Sequence, residues 1–163
     1  MIVALDADFL LQLSDADKDA WAIYTALLEN EKLFTLVTTP SARDLLDVAA
    51  QRGEEKTSRL AFSASQALDA EWKIRSVGLD ESQRKISWIV GYHFRQTKLV
   101  DESLRVESEL LAEAVLVADI LLVPEDSPFD KLDQRRLMLE MRFLGMSPAL
   151  IFTPSGLSRT ISK

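Results

Sequence analysis

Three short apolar runs, at residues 2–5, at 120–123 within the predicted strand Asp119–Val123, and at 149–152, constrain this chain more than any other feature. Each is too short for a helix and too continuously apolar for a strand with one wet face. Each therefore predicts a strand covered on both sides. A fourth strand is predicted at 32–38, where Leu33, Thr35 and Val37 alternate with their neighbours. Between these segments the apolar spacing becomes helical. Trp21, Tyr24, Leu27 and Leu28 share one face, with Ser14 as a candidate cap. Thr39-Pro40 has the form of a helix start, Thr as cap and Pro at the first helical position. Residues 54–75 place Leu60, Ala64, Ala67, Leu68 and Trp72 on one side, and Asp80 can cap the next helix. Residues 107–117 are helical again, and Ser127-Pro128 predicts a helix that runs to Gly145. The tail from Ser155 is expected to be ordered only in part. Strands alternating with helices give a parallel sheet with helices on both faces. The expected fold is therefore α/β, three α/β/α layers around a mainly parallel sheet.

At 163 residues, a single domain over 1–163 is expected, with about 50–105 as a mainly helical segment inside it. The absence of cysteine excludes disulfides, thiolate metal sites and cysteine nucleophiles. The N-terminal apolar stretch carries Asp6 and Asp8 and lacks a basic flank, so it does not read as a signal peptide. No run reaches the roughly 18–20 apolar residues that span a bilayer. A cytoplasmic protein with no membrane partner is the expectation. A net charge of -7 argues against a surface that coats nucleic acid broadly. There is no glycine-rich phosphate loop and no nucleophile elbow around a serine.

Chemistry is concentrated in acids near predicted strand ends. Asp6 closes the first strand, with Asp8 two residues on. In open parallel sheets, ligands sit at the carboxyl ends of the strands. Two acids beside an apolar core cost solvation free energy unless a positive charge offsets them. A hard divalent cation, Mg²⁺ or Mn²⁺, suits such oxygens. The plainer reading is that one of these acids only caps the following helix. Asp126 follows a later strand, Glu107 opens the helix leading into that strand, and Asp44 lies on the helix after the second. Several carboxylates converging on paired metals are what metal-dependent phosphodiester hydrolysis requires. Taken singly, Asp44 and Glu107 also read as ordinary exposed helix charges, and Asp126 as a loop residue.

At these residues the chain resembles the PIN-domain family. The opening Ile2-Val-Ala-Leu-Asp6-Ala-Asp8-Phe-Leu10 is similar to that family's first strand followed by Asp-Thr-Asn and an apolar pair. Glu107-Ser-Glu-Leu-Leu-Ala-Glu-Ala114, running into Ala118-Asp-Ile-Leu-Leu-Val123-Pro-Glu-Asp126-Ser-Pro-Phe129, resembles its third-acid helix, strand and Thr-x-Asp-x-x-Phe. Thr39-Pro-Ser-Ala-Arg-Asp44-Leu-Leu-Asp-Val48 resembles the helix of its second acid, and Leu150-Ile-Phe-Thr-Pro154 its last strand. The likeness covers 1–50 and 105–155, and the helical middle matches only as a variable insertion. It implies a Mg²⁺- or Mn²⁺-dependent ribonuclease cutting RNA, single-stranded RNA first, with Asp6, Asp44, Glu107 and Asp126 catalytic. Asp6, Glu107, Asp126 and Asp8 would hold metal. It also implies kinship with toxin–antitoxin toxins, many of which form homodimers and are blocked by an antitoxin protein. Three positions depart from the pattern. Asp8 stands for Asn, Glu107 for Asp, and Pro124 for a Thr or Ser hydroxyl. Asp47 rivals Asp44, and Asp101 rivals Glu107.

Two other functional readings follow from the same residues. A PIN-like scaffold of little or no activity could bind a protein or RNA partner, which Pro124 and the acidic charge favour. Asp6-Ala-Asp8 also resembles the nucleophile and acid pair of haloacid-dehalogenase-like phosphatases. Glu125-Asp126 matches the late metal-binding part of that family poorly. The lone histidine, His93, sits on an apolar helical face and reads as packed rather than as a general base. Trp72, Trp88, Tyr92 and Phe94 read as core or interface before they read as base-stacking groups.

Overall fold

A computed structural model of the chain describes residues 1–129 and 131–161. The elements run β1 (Ile2–Leu5), α1 (Ala7–Ser14), α2 (Lys18–Glu29), β2 (Thr35–Thr38), α3 (Pro40–Arg52), α4 (Glu55–Ala70) and β3 (Arg75–Ser76). They continue with α5 (Glu81–Gln96), α6 (Arg105–Val117), β4 (Ile120–Leu122), α7 (Gln134–Phe143), β5 (Leu150–Phe152) and α8 (Pro154–Ile161). The protein is α/β, with an all-parallel five-stranded sheet in the order β3-β2-β1-β4-β5, flanked by helices. β1 is central. Val3 pairs with Leu36 on one side and Ile120 on the other. Its residues Val3, Ala4 and Leu5 are buried, as a strand covered on both faces must be.

The chain builds β1, β2 and β3 outward in one direction, then returns to lay β4 and β5 on the far side of β1. The order therefore reverses between β1 and β4. Such a reversal leaves a crevice outside the carboxyl ends of the two strands, where open α/β sheets bind ligands. Both outer strands are protected from stray pairing. β3 is only two residues long, and the Gln134 amide clamps β5, donating to Ile151 O at 2.7 Å and accepting from Ile151 N at 3.2 Å.

Several helix starts follow the sequence directly. Thr39 caps α3, its hydroxyl accepting from Ala42 N, with Pro40 as the first helical residue. Asp80 and Gln83 form a reciprocal capping box on α5. Other expectations are corrected. Asp17, not Ser14, caps α2, because Ala16 turns the chain in the left-handed region at φ 57. Ser127-Pro128 opens no helix: Ser127 N donates to Pro124 O and Phe129 N to Ser127 Oγ, closing a turn, and α7 starts only after its cap Asp133. The middle segment is not wholly helical, since Arg75 and Ser76 pair with Val37 and Thr38 as β3. The tail forms α8 through Ile161, while Ser162 and Lys163 lie outside the described residues. α5 and α6 approach closely at Gly91, where a Cβ would meet Ser108 O at 3.1 Å. Among the described residues no helix is long and apolar enough to cross a membrane.

Candidate functional site

Asp6 ends β1 at the reversal. Its N–H stays in the sheet, donating to Leu122 O at 3.0 Å, and its Oδ1 accepts from Ala7 N at 2.8 Å. The plain reading was right as far as it goes, since Asp6 caps α1. The capping bond engages one oxygen and leaves Oδ2 without a hydrogen bond from any described residue. Asp6 is only 5% exposed. That burial, then the charge of Asp8 and, less strongly, of Glu107, pushes its carboxyl up to about 8 against the opposing Ala7 hydrogen bond.

The other acids reach this point from three further elements. Asp8 lies in the first turn of α1, open to solvent at its outer side. Partial burial raises its carboxyl, and Asp126 and Glu107 raise it further. Glu107 lies half-buried in the first turn of α6. Asp126 is exposed in the turn beyond β4. Asp6, Asp8, Glu107 and Asp126 thus act on one another's charge at one edge of the sheet. Their side chains stand apart: among the described residues no three Asp, Glu or His side chains form a group that could hold a metal ion as placed. Helix starts temper the repulsion, since α1 and α6 both direct their amino ends at this edge.

Asp44 is not among the acids whose charges act on Asp6 and Asp8. It is exposed on α3, and its charge acts on Glu113. Glu113 is a buried carboxylate that sequence reasoning missed. Its Oε2 accepts from Ser41 N at 2.8 Å and its Oε1 from Ser41 Oγ at 2.9 Å. Burial raises its carboxyl, and the Ser41 bonds counter part of that rise. It ties the start of α3 to α6, six residues beyond Glu107. The signal in the sequence was a carboxylate set among Leu110, Leu111 and Ala114. Asp47 is exposed on α3. Asp101 is exposed in the α5–α6 loop, where bonds from Ser103 hold its carboxyl low.

A cavity of about 350 Å³ opens beside the acids. Asp6, Asp8 and Glu107 line it together with Leu45, Val48, Ala49 and Arg52 of α3, Thr57 of α4, and Pro128 and Phe129. Pro124 is buried directly after β4 and brings no hydroxyl to this edge. His93 is remote in chemistry, bonded through Nε2 to Glu140 Oε2 at 2.7 Å and stacked on Phe143. Phe94 is core and Trp72 half-buried, whereas Trp88 and Tyr92 are exposed on α5. No protein-family model matches the sequence, and no curated protein or solved structure matches it either.

Proposed function

We propose that this chain is a metal-dependent ribonuclease of PIN type, hydrolysing phosphodiesters in single-stranded RNA. The observation that carries the reading is that Asp6, Asp8, Glu107 and Asp126 lie near enough to act on one another's charge where the strand order reverses. An all-oxygen donor set fits Mg²⁺ or Mn²⁺. Asp6 supports that fit, being a buried carboxylate with like charges beside it and, among the described residues, no cationic side chain paired with it. Asp6 and Asp8 would hold the ion from the α1 side, and the half-buried Glu107 and the exposed Asp126 would complete the set. Asp44 would act from further out, near the water. When bound, Mg²⁺ or Mn²⁺ supplies an activated water and stabilises the leaving oxygen. The α1 and α6 amino ends favour an anionic group at the same edge.

The toxin–antitoxin role, a protein antitoxin and a homodimer are part of this proposal through the family resemblance alone. A second reading, an inactive scaffold of the same type, is favoured by Pro124 and by the open spacing of the acids. The phosphatase reading is weakened because no lysine lines the cavity among the described residues. The deciding experiment is cleavage of labelled single-stranded RNA with Mg²⁺ or Mn²⁺, native chain against Asp6→Asn. Metal-dependent cutting lost in Asp6→Asn supports the nuclease. No cutting by the folded native chain supports the scaffold.

A further inference from the structure

We infer that the cavity beside the carboxylates is a nucleotide subsite, in which an unstacked base lies on Leu45, Val48, Ala49 and Phe129 while Arg52 holds the adjoining phosphate. The ligand class rests on the ribonuclease reading. The shape of the site is independent of it.

The volume, about 350 Å³, sits at the low end of small-ligand cavities, which run from roughly 300 to 1,000 Å³. That suits one nucleotide and excludes a duplex. Its lining is divided by chemistry. The acids come from the end of β1, from α1 and from α6, and the apolar side chains come mainly from the carboxyl half of α3. Val48 is 50% exposed, an apolar side chain left open to water at the cavity. Single-stranded RNA is read by splaying bases out onto aromatic rings and guanidinium planes, and the lining holds one of each, Phe129 and Arg52, beside its aliphatic wall.

Arg52 gives the second argument. Among the described residues it is the only basic one in the lining, and it makes no ion pair with the three acids that share the cavity. Lys56, in the first turn of α4, is instead tied to Asp15 at 2.8 Å. An exposed guanidinium across a cavity from carboxylates is placed for an anion that spans the gap. Its planar fork matches a phosphate, and an acidic chain of net charge -7 needs such a local cation to accept one.

The test is chemical-shift titration of the native chain in Mg²⁺ with AMP, with UMP and with ribose 5-phosphate, alongside RNA-cleavage kinetics. Val48→Trp fills the apolar wall from an exposed position, and Arg52→Ala removes the cation. Thermal melts confirm that both fold. Both nucleotides should shift amides of residues 45–53, with ribose 5-phosphate at least tenfold weaker. Val48→Trp should weaken the nucleotides at least fivefold and leave ribose 5-phosphate unchanged. Arg52→Ala should weaken all three, and Arg52→Lys should restore part of the loss. Equal binding of ribose 5-phosphate and AMP would overturn the base wall. RNA cleavage that needs Asp6 but has the same KM in Val48→Trp and Arg52→Ala would overturn the subsite and leave the nuclease standing. Nucleotide binding with these variant effects but no cleavage would keep the subsite and remove the nuclease. No binding of any of the three, as when a protein covers the cavity instead, would overturn the subsite.

Discussion

Two cavities of nearly equal size lie at opposite ends of one sheet. The carboxyl-edge cavity holds about 350 Å³ and has Asp6, Asp8 and Glu107 in its lining. The amino-edge cavity holds about 370 Å³ and is lined chiefly by Met1, Leu33, Phe34, Leu150, Phe152, Leu157 and Ile161. Concave apolar surface therefore forms at either end of such a sheet as a consequence of packing. What distinguishes the carboxyl edge is charge kept where burial penalises it. Evenly spread surface acids would ionise freely in water, whereas Asp6 is held up to about 8. The fold offsets part of that cost with the amino ends of α1 and α6, which the amino edge does not have.

If the contrast is functional, the largest effect belongs to Asp6→Asn. RNA cleavage in Mg²⁺ or Mn²⁺ should fall more than 100-fold, beyond the roughly 10–100-fold lost when a mere supporting group around a metal is removed. The cap survives, because Asn still accepts from Ala7 N. Residual cleavage within tenfold of native would break the contrast.

The same substitution should stabilise the metal-free protein. A carboxyl raised from 3.8 to about 8 on folding contributes stability that is complete below about 4 and is lost as the pH climbs through 8. Native melting temperature should therefore fall between pH 5 and pH 8.5, and Asp6→Asn should flatten that fall. At pH 8.5 the variant should melt about 10 °C higher, the order expected for a few kcal/mol in a chain of this size. Parallel pH profiles for the two proteins would show that the charge at Asp6 costs nothing.

Glu113 sharpens the comparison one layer further in. Glu113→Ala leaves Ser41 N and Oγ buried without their acceptors and should cost about 1–3 kcal/mol, measured by urea unfolding. Glu113→Gln keeps one acceptor and should cost less. Cleavage by Glu113→Ala should also fall, because α3 and α6 lose their tie near the acids. Equal stability of the two variants would deny that tie.

How much of this was legible depended on how local each signal was. β1, β4 and β5 were readable because buried parallel strands are continuously apolar, and the α3 and α5 starts because capping needs only neighbours in sequence. β3 was not, since Arg75 and Ser76 are exposed and join the sheet through backbone alone. Ser127-Pro128 misled because a hydroxyl before proline serves a turn as well as a cap. Asp6, Asp8, Glu107 and Asp126 were legible as strand-end and helix-start acids. Asp44 was legible as a charge on α3, but not that its charge would act on Glu113. Glu113 looked like any charge on an amphipathic helix, and its partner lies 72 residues away.

The smallest effect belongs to the amino edge. Leu33 is 62% exposed and Leu150 41%, so each already meets water. Leu33→Ser should change stability by no more than about 0.5 kcal/mol, as for most surface substitutions. Leu150→Ser should cost slightly more, since its strand packs against β4 and α8. Neither touches the carboxyl edge, and RNA cleavage and nucleotide binding should match native for both. A fall in either activity at unchanged stability would mean that the amino-edge cavity is coupled to the acids or shares their ligand. The sheet would then have two functional ends, and apolar lining alone would no longer mark the one left by packing.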